Sequence, residues 1–357
     1  MTKNDANTQQ SARAHDADAL SRAERVTIVG EGQMGMVLAA MLAERGVPVC
    51  VWGPFPAVIE ELSRTRRSPR MPGLVIDAAV RFEHDGARAL DGATLVVSAI
   101  PTQFVRAAWQ PIAAHLASDV PVVSVTKGIE DETLLRPSQV IADAARMAHG
   151  ERPVAVLSGP TIAAELAMRL PATMVSASTD AALAERVQRT FSLPWLRIYT
   201  NSDVVGVEIA GAAKNVVAIA AGMVDGLGLG SNAKSALLAR GLAEIVRLGS
   251  ALGARPETFF GIAGVGDLAT TCFSPEGRNR SCGEAIGRGE GLAEFLARTH
   301  SVVEGVATSH ALLALADRHG VDMPIVRAVE SILFHGTTPA HAIRDLMGRE
   351  AGAERVG

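Results

Sequence analysis

Arg25-Val-Thr-Ile-Val-Gly30-Glu-Gly32-Gln-Met-Gly35-Met-Val-Leu-Ala-Ala-Met-Leu-Ala-Glu-Arg-Gly46 decides the architecture of the first half of the chain. A short apolar run leads through Gly-x-Gly-x-x-Gly into a helical pattern that Gly46 caps. Gly30 and Gly32 permit a tight turn and let a pyrophosphate approach the backbone N–H groups of a helix N-terminus, while Gly35 lets helix and strand pack closely. With a second strand over Val47 to Trp52, the stretch opens a βαβ unit of about 30 residues. It predicts an α/β N-terminal domain, a Rossmann-like doubly wound sheet that binds a dinucleotide.

The acidic residue that usually meets the ribose 2′-hydroxyl belongs at the end of that second strand. Here the strand ends Val51-Trp52-Gly53-Pro54-Phe55-Pro56, with no acid before Glu60 and no base before Arg64. The missing acid leans weakly towards NADP, the missing base leaves nothing to hold a 2′-phosphate, and the choice between NAD and NADP stays open. Arg64, Arg66, Arg67 and Arg70 read better as a solvated basic face than as a phosphate site.

Further apolar strands end at Ile100-Pro101, at Thr126-Lys127-Gly128 and at Ser158-Gly159-Pro160-Thr161, with two more near Thr173 to Ala177 and Trp195 to Thr200. In an open α/β sheet such carboxyl ends line one crevice. Lys127 is the only lysine between residues 4 and 213. From Gly206 onward the patterns are helical, so the expected organisation is a disordered polar tail over 1–22, a dinucleotide-binding domain over 23–205, an all-α substrate domain over 206–348 and a tail over 349–357. The helical half opens with Ile209 to Met223, apolar on every side except for Lys214 and Asn215. A Gly-rich loop after Asp225 is expected to lead into a helix capped by Asn232, and Asp267 to stand near a helix N-terminus.

Composition fits this picture. A chain of 357 residues suits two domains, and 48% hydrophobic with only 4% aromatic residues points to Ala, Val, Leu and Ile packing between helices and a parallel sheet. A formal charge of −4 offers no bulk attraction to nucleic acid or anionic lipid. Cys50, Cys272 and Cys282 form no CxxC pair, which argues against structural zinc or a disulfide framework, and no bound metal is expected. Glu208 and Lys214 interrupt the longest apolar stretch, so no membrane span is expected and the cytoplasm is the expected location.

Taken together these residues resemble the NAD(P)-dependent sn-glycerol-3-phosphate dehydrogenase family. The resemblance rests on Gly30-x-Gly32-x-x-Gly35, Thr126-Lys127-Gly128, Ser158-Gly159-Pro160-Thr161, Gly211-Ala-Ala-Lys214-Asn215, Gly264-x-Gly266-Asp267-Leu, Arg278-Asn279-Arg280 and Val302-Val303-Glu304-Gly305, and it covers about residues 25 to 348. It implies reversible reduction of dihydroxyacetone phosphate to sn-glycerol 3-phosphate, a precursor for glycerophospholipid synthesis. Lys214 would be the general acid/base, joined by Lys127 and Asp267. Substrate contacts would come from Lys127, Gly159, Thr161, Lys214, Asn215, Asp267, Thr271, Arg278 and Asn279, with Arg278 and Asn279 on the phosphate. Cofactor contacts would come from Gly30, Gly32, Gln33, Met34, Gly35, Pro101, Lys127, Ala163, Arg278, Val302 and Glu304. The chain departs from the family at Pro54, at Gly277 and over Arg67 to Gly73. The alternatives are a hydroxy-acid dehydrogenase of the same architecture and a non-catalytic NAD(P)-binding redox sensor. An apolar helical half is compatible with a homodimer.

Overall fold

The computed structural model describes residues 24–149, 153–299, 301–350 and 353; the polar tail expected over 1–22 and most of the tail expected over 349–357 lie outside these residues. Eight of its strands form one sheet: β1 (Val26–Val29), β2 (Val49–Trp52), β5 (Arg81–Glu83), β6 (Leu95–Ser98), β7 (Val122–Ser124), β8 (Val154–Ser158), β9 (Ala172–Ala177) and β10 (Leu196–Asn201). The sheet order is β10-β9-β8-β7-β6-β1-β2-β5. All pairs are parallel except β8 with β9. Every residue of β1, β2 and β6 is buried, which is why these strands read as continuous apolar runs.

From β1 the chain runs outward to β2 and β5 on one side and then to β6, β7 and β8 on the other, so the strand order reverses beside β1. Ligands of open α/β sheets bind at such a reversal. The glycine loop occupies this place: Gly30 N–H donates to Trp52 O at 2.8 Å. Gly30 adopts φ +120°, and a Cβ there would lie 2.7 Å from Ala99 O, so both the conformation and the space demand glycine.

The helical half is built around the 23-residue helix Val204–Gly226, buried at every position from Gly206 to Val224. Asp203 starts it, accepting from Gly206 N–H at 2.9 Å, Arg255 N–H at 2.9 Å and the Thr258 hydroxyl at 2.7 Å. Helices Gly230–Ala251, Asp267–Phe273, Arg278–Gly287 and Glu304–Arg318 pack around it. Its length and a mean hydropathy of 1.6 would suit a membrane span, but 89% of its most apolar window is buried inside the protein. It is a core helix enclosed by other helices. Glu208 ties it to the nucleotide-binding half, accepting from Ser138 N–H at 2.8 Å and the Ser138 hydroxyl at 2.6 Å and pairing with Arg136.

Three local expectations are corrected. Asn232 is not a cap: the cap position of helix Gly230–Ala251 is Leu229, three residues earlier, without a side-chain cap, because Gly228 (φ +69°) and Gly230 (φ +80°) complete the reversal in so few residues. The segment from Arg67 to Gly73, where the chain departs from the family and no strand was expected, lies in an antiparallel hairpin, β3 (Arg67–Ser68) with β4 (Met71–Val75). Strand β5 had no counterpart in the sequence reading, since three residues are too short to show a period.

Helix Arg278–Gly287 meets the long helix backbone to backbone. A Cβ on Gly283 would lie 1.8 Å from Ile219 O, and one on Gly222 would lie 1.9 Å from Arg280 O. Gly283→Ala is therefore expected to lower stability by about 1–3 kcal/mol through overpacking, read as a fall in Tm; an unchanged Tm would show that the two helices tolerate separation.

Candidate active site

Gly32 precedes helix Gln33–Glu44 in an extended conformation, and no side chain caps the helix. A Cβ on Gly32 would meet nothing within 4 Å, whereas one on Gly35 would lie 2.1 Å from Gly30 O. The loop is thus closed on its strand side and open at the helix N-terminus, where free N–H groups and the helix dipole favour a phosphate. These residues fit a dinucleotide pyrophosphate. Around the loop, Met34 is half-buried and the Gln33 amide donates to Arg70 O at 2.8 Å. Pro101, just past β6, is half-buried, as is Ala163 at the start of helix Ala163–Ala167.

Beyond the strand ends two ammonium groups flank one carboxylate. Lys127, from the end of β7, donates to Asp267 Oδ2 at 2.6 Å and to Gly159 O at 2.9 Å. Lys214, from the long helix, stands 3.2 Å from Asp267 Oδ1 and donates to Thr271 Oγ1 at 2.6 Å and Asn215 Oδ1 at 3.3 Å. Thr271 lies one helical turn after Asp267 and donates to its backbone oxygen at 2.7 Å. The Asn215 amide reaches Lys127 O at 3.4 Å. Three elements distant in sequence therefore converge on one carboxylate. A five-residue π turn, Ile262–Gly266, leads directly into Asp267, the type of irregular turn often found at functional sites.

Lys214 is 5% and Asp267 2% exposed. Burial is the main influence that lowers the Lys214 pKa to about 8, with nearby Lys127 acting in the same direction and Asp267 opposing both. An ammonium with such a pKa exchanges its proton near neutral pH. The group carries two positive charges and one negative, so a developing anion beside it meets a net attraction.

Arg278 and Asn279 open helix Arg278–Gly287. Arg278 is exposed and donates to Val302 O at 3.1 Å, while buried Asn279 accepts from Gly305 N–H at 2.9 Å through its side-chain oxygen. Val302 is 39% exposed. Glu304 accepts from the Thr102 backbone N–H; burial raises its pKa, against the lowering influence of Arg278, Lys214 and Lys127. Thr161 donates its hydroxyl to Gly159 O at 3.1 Å, the same carbonyl oxygen that accepts from the Lys127 ammonium.

The sequence reading missed a second buried lysine, Lys234. Lys234 donates to both oxygens of Asp225 at 2.7 and 3.0 Å, Arg280 donates to the same carboxylate at 2.8 Å, and the Lys234 ammonium lies 4.8 Å from the Phe273 ring centre. This cluster joins the ends of the helices that carry Lys214, Thr271 and Arg278. Eleven residues separate Lys214 from Asp225, three turns of one helix face, and that spacing was the available signal. The thiols of Cys50, Cys272 and Cys282 are free and buried, and no side-chain cluster among the described residues suits a metal ion.

A glycine loop at a sheet's strand-order reversal, together with a buried lysine from a helical second domain, defines an NAD(P)-dependent dehydrogenase. Residues 25–184 match the family model of the NAD-dependent glycerol-3-phosphate dehydrogenase N-terminus, and residues 203–344 match that of its C-terminus. The chain belongs to this family. It is 42% identical to a glycerol-3-phosphate dehydrogenase (NAD(P)+) of Streptomyces coelicolor, over 94% of this chain and all of the relative. It is 44% identical to one of Thermobifida fusca, over 93% and 99% of the two chains. The solved glycerol-3-phosphate dehydrogenase of Coxiella burnetii superposes with a TM-score of 0.86 at 31% identity, covering 91% of this chain and 99% of that one. A ketopantoate reductase from Ralstonia eutropha, at 16% identity and a TM-score of 0.57, shares the fold.

The lowered Lys214 pKa has a consequence for stability. Between about 8 and the ordinary value of 10.5 the unfolded chain binds more protons at this residue than the folded one, so folding gains stability as pH rises through that window and loses it as pH falls. Relative to Lys214→Met, the wild-type Tm is expected to improve between pH 8 and pH 10; parallel Tm curves would refute the buried, weakly basic lysine.

Proposed function

We propose that this chain catalyses the reversible reduction of dihydroxyacetone phosphate to sn-glycerol 3-phosphate with NADH or NADPH. The observation that carries this reading is the contact of Lys127 and Lys214 with opposite oxygens of Asp267, at 2.6 and 3.2 Å, beyond the strand ends. When bound, the cofactor supplies the hydride that reduces the ketone carbon. Lys214 acts as general acid, hydrogen-bonding the ketone oxygen and giving it a proton as negative charge develops; in the oxidative direction the neutral amine takes that proton back. Asp267 orients both ammonium groups, and Lys127 adds charge that stabilises the forming alkoxide. Thr271 and Asn215 hold the Lys214 head, and Gly159 holds that of Lys127.

Arg278 and Asn279 bind the substrate phosphate. The Asn279 oxygen is already engaged by Gly305 N–H, so its amide N–H groups are what it offers an anion. The phosphate takes no part in the chemistry, and its binding energy serves to align the ketone. Thr161 lies beside the Lys127 ammonium, its hydroxyl on the Gly159 carbonyl that also holds Lys127. Gly30, Gly32, Gln33, Met34 and Gly35 surround the pyrophosphate, while Pro101, Ala163, Val302 and Glu304 contact the cofactor nearer its reactive end. We place the domain boundary at 205/206, two residues into the long helix. A cytoplasmic homodimer that supplies glycerophospholipid synthesis is the setting this reading favours.

Initial rates with dihydroxyacetone phosphate test the proposal, and turnover of 2-keto acids in its place would assign the chain to the hydroxy-acid dehydrogenases. Lys214→Ala is expected to reduce kcat by ~100- to 10,000-fold, and near-normal turnover by that variant would remove Lys214 from its role. Arg278→Ala is expected to raise KM for dihydroxyacetone phosphate. Since reduction needs the ammonium form, its kcat should fall as pH rises through about 8, and oxidation should speed up over the same range. Opposite trends would mean that another group exchanges the proton.

A further inference from the structure

The residue between the first two glycines of the loop is Glu31, a large charged side chain in a turn built for close backbone approach. It is 7% exposed. Its carboxylate lies over the end of β2: a Cβ on Gly53 would be 2.7 Å from Glu31 Oε2 and 3.1 Å from its Cδ. Gly53 thus leaves the space that this carboxylate fills. The second strand, which lacks a terminal acid of its own, has one delivered to it from the glycine loop.

No hydrogen bond or ion pair involves the Glu31 side chain among the described residues. Arg64 pairs with Glu61 at 2.6 Å; Arg66 donates to Val80 O at 2.6 Å and stacks on Phe82. The residue is nine-tenths buried, yet its carboxylate is left without a protein donor, so its acceptors are free for a ligand that brings donors. The adenosine ribose of a dinucleotide lies at the end of the second strand in this fold, and its 2′- and 3′-hydroxyls are two such donors. A 2′-phosphate there would bring negative charge against negative charge, with no guanidinium paired to Glu31 in compensation.

We propose that Glu31 is the cofactor-specificity residue, accepting hydrogen bonds from the ribose hydroxyls and selecting NAD(H) against NADP(H). This rests on the dinucleotide site assigned above and reverses the weak lean towards NADP given by the end of β2 alone.

Equilibrium titration of NADH and NADPH, followed by nicotinamide fluorescence with no substrate present, tests the assignment. The wild type is expected to bind NADH at least about 10-fold more tightly than NADPH. Glu31→Ala should weaken NADH about 10-fold, the loss expected for hydrogen bonds to a charged group, and erase the preference. Glu31→Gln should relax discrimination mainly by improving NADPH, because it removes charge while keeping the shape. Gly53→Ala, which displaces the carboxylate from outside, gives a second route to the same loss and serves if Glu31→Ala does not fold. Equal wild-type affinities, or an unchanged preference in the folded variants, would overturn the role of Glu31 while leaving the dehydrogenase reading intact. Failure to bind either nucleotide would overturn both.

Discussion

The Asp267 carboxylate is the point at which the two halves of the molecule agree. It accepts from Lys127, which comes from the sheet, and pairs with Lys214, which comes from the helical core. Either lysine alone in so buried a place would carry a large desolvation penalty. Together with one carboxylate they form a group that is tolerated and still carries excess positive charge. Much of the rest of the structure can be understood as holding these three side chains in register.

That support is largely backbone packing. The long helix is sealed by Asp203 at its start and joined to the nucleotide-binding half through Glu208, Arg136 and Ser138. Helix Arg278–Gly287 lies against it at glycine contacts that admit no side chain, which sets Arg278 and Asn279 at a fixed distance from Lys214. At the far end Asp225 gathers Lys234 and Arg280. Rigid helices joined by close contacts and buried ion pairs limit the freedom of a proton donor and an anion site relative to each other, which is the arrangement that catalysis by orientation requires.

The glycine loop shows a different economy. Gly30 and Gly35 are dictated by the packing of loop against strand, and Gly32 leaves an open approach to the helix N-terminus. Glu31 uses the position between the first two glycines to send a carboxylate across to β2. The ordinary acid of this fold and its substitute reach the same place by different routes, because what matters to a ribose is the location of an acceptor and not the strand that supplies it.

By itself the sequence determined the mostly parallel sheet, the dinucleotide loop and the oddity of Lys214, since apolar runs, glycine spacing and a charge in an apolar helix are local signals that survive without contacts. It also brought Lys127 and Asp267 under suspicion. It missed β5, which is three residues long, and it misjudged Asn232, because a turn made by two left-handed glycines looks like any other Gly-rich loop. Only the tertiary structure decided that Lys127, Lys214 and Asp267 meet, that burial outweighs Asp267 in lowering the Lys214 pKa to about 8, and that Glu31 stands at the end of a strand more than twenty residues away. These are facts about distance and solvent exclusion between segments remote in the chain, and no periodicity along the chain encodes them.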